Sequence, residues 1–393
     1  MSYMDSKKGL FVLHEGIGST IFNSQVLEHI DGIQSKGINL DVLCFETIEK
    51  NWIISQRNLK LAFESHPRIN IILCKGSNIY FPFSIFVNLF LLFKFFKKNR
   101  NNYSFIHSRA DYSTFLCLLI KPYHKLSVFW DCRGDSISEL KDNLSRKGFL
   151  IKNLGYLFLV PRERLIAKIN SKYSDGNIFV SSELKKIFFK EECVSNSFVI
   201  PCLVSEKKFF FDKNLRSQMR VKYSIEHDHK VYLYSGSMEA YQSVEQQLIL
   251  YRKILIDRNN FLFILTPDPS KALHYFRTLP QDRLKIFTSS FNEINLYYNL
   301  ADFAILIRDR KRLNWVASPT KFGEYCLAGL PVLMNDNVEQ AFFNGSLIGN
   351  YISYLNYWNE PFSDIIRESI SIKARKFYSR DFFINNYLKL YGN

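Results

Sequence analysis

Lys321 and Glu324 stand three residues apart in the segment 318–333, SPTKFGEYCLAGLPVL. On a helix that spacing puts a cation and a carboxylate on one face. The segment reads as a loop, a short helix, a glycine turn and a buried strand. Ser318 suits the N-cap, Pro319 the first helical position and Gly329 the C-terminal stop. Such a helix turns unpaired N–H groups and a partial positive charge toward whatever precedes it, which suits phosphate. Lys321 and the N–H groups around Ser318 and Thr320 are then placed for a pyrophosphate. Glu324 can accept two hydroxyls, as a ribose offers. The plain alternative is a capped helix with a surface ion pair, and these residues alone leave both open.

Arg308 opens the run RDRKR at 308–312, directly after a predicted strand at 303–307. Of that run it is best placed to reach a pyrophosphate. The turn after the predicted strand 231–234 is Ser235-Gly236-Ser237-Met238, and no Arg or Lys follows it before Arg252. Arg308 and Lys321 are the cations in reach as candidates for a pyrophosphate's countercharge. Gly16 and Gly18 lie in a first strand-to-helix turn, where open α/β sheets bind ligands. His107 and Arg109 follow an apolar strand at 105–107; the histidine could orient a sugar hydroxyl or cap the next helix. Arg133 and Asp135 sit in the motif WDCRGD, 130–135, after the next strand. Two acids, an arginine and a glycine are more than a turn requires there. His227-Asp228-His229 shows no obvious third ligand, so no metal and no cofactor are expected. The chain contains no Asp-x-Asp, P-loop, nucleophile elbow or catalytic Cys/His spacing.

The elements that must hold these residues alternate. Strands are predicted at 10–14, 38–45, 69–74, 105–107, 126–130, 177–180 and 198–200, with helices at 21–36, 83–98, 112–119 and 183–189 and a long basic helical stretch to about residue 170. Gly37 stops the first helix. The pattern lapses at 201–213, a linker, and resumes with strands at 231–234, 261–265, 284–287, 303–307 and 331–334. The tail from about 369 is helical and aromatic. This alternation predicts an α/β fold with two doubly wound parallel sheets. The length of 393 residues accommodates two domains, each with its own core.

Glu324, Gly329, Pro331 and Val332 fit the donor-sugar pattern of a known family. The segment resembles that of family-4 glycosyltransferases, two-domain enzymes of the GT-B fold. That family usually carries a second glutamate eight residues before the first, where this chain has Val316. The resemblance implies Rossmann-like domains facing across a cleft: residues 1–203 on the acceptor side and 204–369 binding nucleotide sugar, with a C-terminal helix at 370–393 returning to the first domain. It implies transfer of a sugar from a nucleotide diphosphate to a hydroxyl of a growing bacterial surface glycan, with retention and without metal. Glu324 is then expected on ribose, with Ser318, Thr320, Lys321, Arg308 and Gly236 completing the donor site. Gly16, Gly18, Arg109, Arg133 and Asp135 are expected on the acceptor side. Arg308, Lys321, His107 and Asp135 are the catalytic candidates. Polysaccharide, lipopolysaccharide and capsule biosynthesis are the settings such enzymes serve. A non-catalytic glycan- or nucleotide-binding scaffold is the rival reading, supported by Val316.

Apolar residues make up 47% of the chain and charged residues 23%, as in globular proteins. The net charge of +15 predicts an anionic partner. Nucleic acid is favoured by charge alone, since no recognition motif occurs and the basic residues are scattered. Nucleotide diphosphates and anionic lipid explain the charge as well. The stretch 79–100 (IYFPFSIFVNLFLLFKFFKKNR) is dense in Phe and Leu and ends in Lys97, Lys98 and Arg100. A buried helix with a basic C-terminus fits it, and so does a helix lying on an anionic inner leaflet. A second basic apolar stretch at 147–168 tilts the reading toward membrane contact. Cys44, Cys74, Cys117, Cys132, Cys193, Cys202 and Cys326 are widely spaced and read as reduced core thiols of a cytoplasmic protein. The polar N-terminal residues MSYMDSKK lead straight into an apolar strand too short for a signal peptide, and no run is long enough for a transmembrane helix to be expected.

Overall fold

Parallel strands buried on both faces need apolar side chains in both directions, and the strand sequences here supply them. The protein is described by a computed structural model over residues 8–18, 22–81, 83–99, 102–189, 196–239, 242–357 and 360–392. The polar N-terminal residues 1–7, Ser19, the expected helix start at Ile21, Arg100 and Cys193 lie outside them. The first sheet contains β1 (Lys8–Leu13), β2 (Asn39–Glu46), β3 (Ile71–Lys75), β4 (Phe105–Arg109), β5 (Ser127–Cys132), β6 (Gly176–Phe179) and β7 (Ser197–Val199). Their order is β3-β2-β1-β4-β5-β6-β7, with every neighbouring pair parallel. The second contains β8 (Lys230–Ser235), β9 (Asn260–Leu265), β10 (Leu284–Phe287), β11 (Phe303–Leu306), β12 (Val332–Met334) and β13 (Tyr351–Ser353). Its order, β10-β9-β8-β11-β12-β13, repeats the first and is also parallel throughout.

Both sheets reverse their winding after the first strand, so β1/β4 and β8/β11 are switch points. Loops leaving the carboxyl ends of those strands diverge there and open a crevice for ligands. The expected loops, those after β1, β4, β5, β8 and β11, all leave such ends.

The chain divides into two units, Met1–Ile200 with Phe383–Asn393, and Pro201–Phe382. In the first unit the C-terminal residues complete the core. Tyr391 stacks on Phe105 at 4.5 Å, and Tyr387 meets His29 edge-on at 4.3 Å. In the second unit, Phe322, Tyr325 and Cys326 of helix Thr320–Leu327 enter the main hydrophobic cluster. The six described cysteines are free thiols, and burial pushes those of Cys44, Cys117, Cys132 and Cys326 up.

Among the described residues, a helix and a strand of the structure illustrate what escapes the sequence pattern. Helix Trp52–Ser65 buries only Ser55 and Ala62, so it has no apolar stripe to read. Strand β13 has three residues and borders only β12. The first helix begins as a π-turn, Asn23–Leu27, before the regular turns of Glu28–Gln34.

Candidate active site

Helix Thr320–Leu327 is stopped by Gly329, whose φ of +68° belongs to the left-handed region that favours glycine. A Cβ there would lie 2.3 Å from the Arg367 carbonyl oxygen. The helix starts one residue later than the sequence suggests. Pro319 occupies the N-cap with extended geometry, and no side chain caps the first turn. Ser318 is not the cap, because its Oγ accepts the Cys202 N–H at 3.0 Å. The Phe322 N–H is taken by the Pro319 carbonyl at 3.0 Å, and no side-chain cap serves the Thr320 and Lys321 N–H groups at the start of the helix.

Glu324 is only 2% exposed, and its Oε2 accepts the Tyr298 hydroxyl at 2.7 Å and Lys321 Nζ at 2.9 Å. The pair is therefore a half-buried cation on a buried carboxylate, not a surface ion pair. Tyr325, beside it, accepts the Ser235 N–H at 3.0 Å, which ties the helix to the carboxyl end of β8. Burial first, then Glu324 and Tyr325, drives the Tyr298 phenol far above its ordinary value, so it stays a hydrogen-bond donor.

Arg308 is buried at the end of β11 and bonds the side-chain oxygen of Gln242. Its carbonyl accepts the Asn335 and Asn337 carboxamides at 2.8 and 2.7 Å, which fixes the backbone. The Tyr234 hydroxyl lies 2.8 Å from the Ser237 carbonyl and 3.2 Å from Gln242 Oε1. Gly236 packs over that ring: a Cβ would meet Tyr234 Oη at 2.6 Å. Asp309, next in the run, accepts Ser243 Oγ at 2.8 Å. The β8/β11 switch point thus gathers Arg308, Gly236, Tyr325, Glu324 and Lys321. Of the charge run, Arg308 is the member turned inward.

The first unit carries its own polar cluster at β1, β4 and β5. Asp131 lies 3.3 Å from His107 Nε2, 3.3 Å from Arg133 and 3.9 Å from Arg109. Burial acts to raise its carboxyl, but Arg133, His107 and Arg109 together hold it well below the usual carboxylate range. Arg133 also reaches Gln25 Oε1 at 3.0 Å, and Arg109 reaches Glu15 Oε2 at 3.2 Å. Asp135 caps helix Ser136–Ser145 by accepting the Ser138 N–H at 3.1 Å and its hydroxyl at 2.6 Å. Asp111 takes the Trp130 indole N–H at 2.9 Å, and burial foremost, with nearby Glu163 and Asp135, raises its carboxyl to about 6.

His107 is not at a strand tip. Strand β4 runs on to Arg109, and the histidine is fully buried with Nδ1 2.6 Å from the Tyr391 hydroxyl. Its Nε2 faces Asp131 at 3.3 Å, and it neither stands at a strand tip nor caps the next helix. The two glycines of the first loop differ as well. Gly16 has φ +71° and a Cβ would lie 2.0 Å from Glu46 Oε2, whereas Gly18 is exposed and has room.

Solved structures share this architecture over nearly the whole chain. Sucrose-phosphate synthase from Thermosynechococcus elongatus matches with a TM-score of 0.72 at 12% identity, covering 98% of both chains. HepE from Anabaena, in complex with UDP-glucose, matches at 0.67 and 12% identity, over 97% of this chain and 99% of its own. The apo lipopolysaccharide outer core galactosyltransferase WaaB matches at 0.64 and 14% identity, over 98% and 99%. This chain has the GT-B fold. No protein-family model matches the sequence, and no curated protein is significantly similar to it.

Within the GT-B frame, Val316 closes the short helix Arg312–Trp315 and is 2% exposed, so an apolar side chain fills the position where the resembling family has its second glutamate. Glu226, Asp228 and His229 bring three ligand atoms within 4.8 Å of one another, a third partner the sequence reading lacked. His229 Nδ1 accepts the Glu226 N–H at 3.0 Å, and Asp228 accepts Asn259 at 3.0 Å. Sequence reasoning missed Tyr298 and Gln242, which lie 26 and 66 residues from Glu324 and Arg308, and also Tyr325 and Asp111, whose partners Ser235 and Trp130 only the fold brings to them. Asp131 had a signal: an acid inside an apolar strand.

Proposed function

We propose that this protein is a glycosyltransferase that moves a sugar from a nucleotide diphosphate donor to a hydroxyl of a growing bacterial surface glycan. One observation carries the reading: buried Glu324, paired with half-buried Lys321, stands on a helix whose first turn has no side-chain cap, beside the β8/β11 switch point of a GT-B second unit. A carboxylate there suits ribose hydroxyls, and Lys321, Arg308 and the N–H groups at Thr320 suit a pyrophosphate. The HepE complex, with UDP-glucose, supports a nucleotide sugar as donor, and WaaB supports a glycan acceptor. The protein's task would be to stabilise charge on the departing diphosphate, which Arg308 and Lys321 can do.

On this reading the first unit holds the acceptor through the loops bearing Gly16, Gly18, Arg109, Arg133 and Asp135, with His107 fixing Asp131. The reading includes retention, metal independence and a lipid-linked acceptor at the inner face of the cell membrane. Retention follows the resemblance in the donor motif, and the absence of Asp-x-Asp from the sequence supports metal independence. The test is a panel of nucleotide sugars, scored by thermal shift and by slow donor hydrolysis. A ligand at about 100 times its dissociation constant adds about 2.7 kcal/mol. No shift with any member would overturn the proposal. Val316 favours a second reading, a scaffold that binds but does not transfer; binding without hydrolysis or transfer would decide for it.

A further inference from the structure

Helix Ser84–Lys98 is apolar on its outer face as well as its inner one. Its buried positions include Ser84 and Asn88 beside Leu92 and Phe96, while Phe86 is 70% exposed and Phe90 66%. Asn88 is satisfied in the interior: it accepts the Ser77 N–H at 2.7 Å and donates to the Ser77 carbonyl and Tyr112 hydroxyl, both at 2.9 Å. The outer phenylalanines have no such explanation in water. Phe83, Phe86, Phe90 and Phe93 recur every three or four residues and form one stripe.

A second apolar surface lies in the same unit. Helix Phe149–Leu154 buries none of its residues, and Phe149 is 82% exposed. Leu157 and Phe158 continue it on the following π-turn, Gly155–Leu159. This segment is seated through Gly155, where a Cβ would lie 2.4 Å from the Leu144 side chain. Arg162 then donates to the Ile79 carbonyl at 2.8 Å, joining the root of this surface to the lead-in of the first.

Charge selects the occupant. No Asp or Glu occurs between residues 65 and 110, or between 143 and 162. Exposed cations flank the apolar residues: Lys94, Lys97 and Lys98 on one segment, Lys147 and Arg164 on the other. A symmetric second copy would bring these cations onto themselves. No helix of the described residues is long and apolar enough to cross a membrane. Apolar side chains ringed by cations on helices too short to span are the features of a surface that lies in the headgroup layer of an anionic bilayer.

We infer that the Phe83–Phe93 stripe and the Phe149–Phe158 segment form one docking surface for an anionic lipid bilayer. This deepens the reading of a lipid-linked acceptor and rests on it only for its purpose, because the lipid contact is measured without donor or acceptor. The full chain is co-sedimented with vesicles of phosphatidylglycerol and phosphatidylcholine, and with phosphatidylcholine alone. Binding to the anionic vesicles is expected at least about tenfold tighter, and most of it is lost in about 1 M salt. The double variants Phe86→Glu/Phe90→Glu and Phe149→Glu/Phe158→Glu should each weaken it at least about tenfold while keeping the parent's circular dichroism and Tm, since all four side chains face outward. Parent-like vesicle binding by both variants, equal binding to neutral vesicles, or none to either would overturn the inference. So would a dimeric parent that the same substitutions turn into a monomer, for a second copy would then cover the surface. Failure here leaves the transferase reading intact, as nucleotide-sugar binding is read separately.

Discussion

Lys321 Nζ sits 2.9 Å from Glu324 Oε2, one turn apart, and the same oxygen receives the Tyr298 hydroxyl at 2.7 Å. The carboxylate is thus held in place before any ligand arrives, by one partner with a mobile side chain and one rigid aromatic. A bound ribose would meet a pre-oriented acceptor at little further ordering cost.

Glu324→Ala is expected to weaken nucleotide binding about 10- to 100-fold, from the loss of charge-assisted bonds worth roughly 1.5–3 kcal/mol. It also leaves the Tyr298 hydroxyl unpaired, so Glu324→Gln, which keeps an acceptor, is the cleaner variant. Calorimetry with nucleoside and nucleoside diphosphate separates the roles: Lys321→Ala should weaken the diphosphate more, and Glu324→Gln should weaken both. Parent-like affinity in both variants would sink the donor-site assignment.

Gly16→Ala and Gly18→Ala should part company. The first forces a left-handed backbone and a clash with Glu46, and is expected to cost at least about 1–2 kcal/mol of stability. The second meets only ordinary contacts near Ile54 and Ser55 and should stay within about 0.5 kcal/mol. Denaturant titration reads both. A folded Gly18→Ala protein with impaired acceptor use would mark close approach of a ligand there.

Asp131→Ala removes the buried acid shared by His107, Arg109 and Arg133. Stranding buried cations of this kind costs about 3–5 kcal/mol. Chemical denaturation at neutral pH should show that loss, and a loss below about 1 kcal/mol would mean that water already shares the charge.

His14 supplies a pH prediction. Burial lowers its pKa to about 3, while the unfolded chain keeps about 6.5. The unfolded state therefore takes up the proton first, and stability present above pH 6.5 is lost as pH falls toward 3. By linkage the loss reaches about 2 kcal/mol at pH 5. In His14→Gln this component vanishes, so the stability difference between parent and variant should shrink by that amount from pH 7.5 to pH 5. A difference that stays constant over this range would show that His14 takes up its proton equally in the folded and unfolded states.

Much of the architecture was legible because buried parallel strands are written as short apolar runs, and the runs at 231–234, 261–265, 284–287 and 303–307 each fall on a strand. Helix Trp52–Ser65 was not, since Ile53 and Phe63 face solvent and blur its periodicity. The acid–base pair at Lys321 and Glu324 was readable from local spacing. Its support was not: Tyr298 is 26 residues from Glu324 and Gln242 is 66 from Arg308, and only folding sets such partners side by side. Ser318 misled for a related reason, as its hydroxyl answers to Cys202, 116 residues away.

The place of Tyr391 bears on how the chain is made. His107 lies at the centre of the first sheet, and its Nδ1 partner is contributed by residues synthesised after the whole second unit. A nascent first unit emerging from the ribosome therefore has its sheet but an uncovered patch over Phe105, His107 and Phe129. That patch stays open for the time needed to translate roughly 180 further residues, on the order of ten to forty seconds at ordinary elongation rates. The last few residues act as a latch, and the first unit reaches its final stability only when the second has been translated.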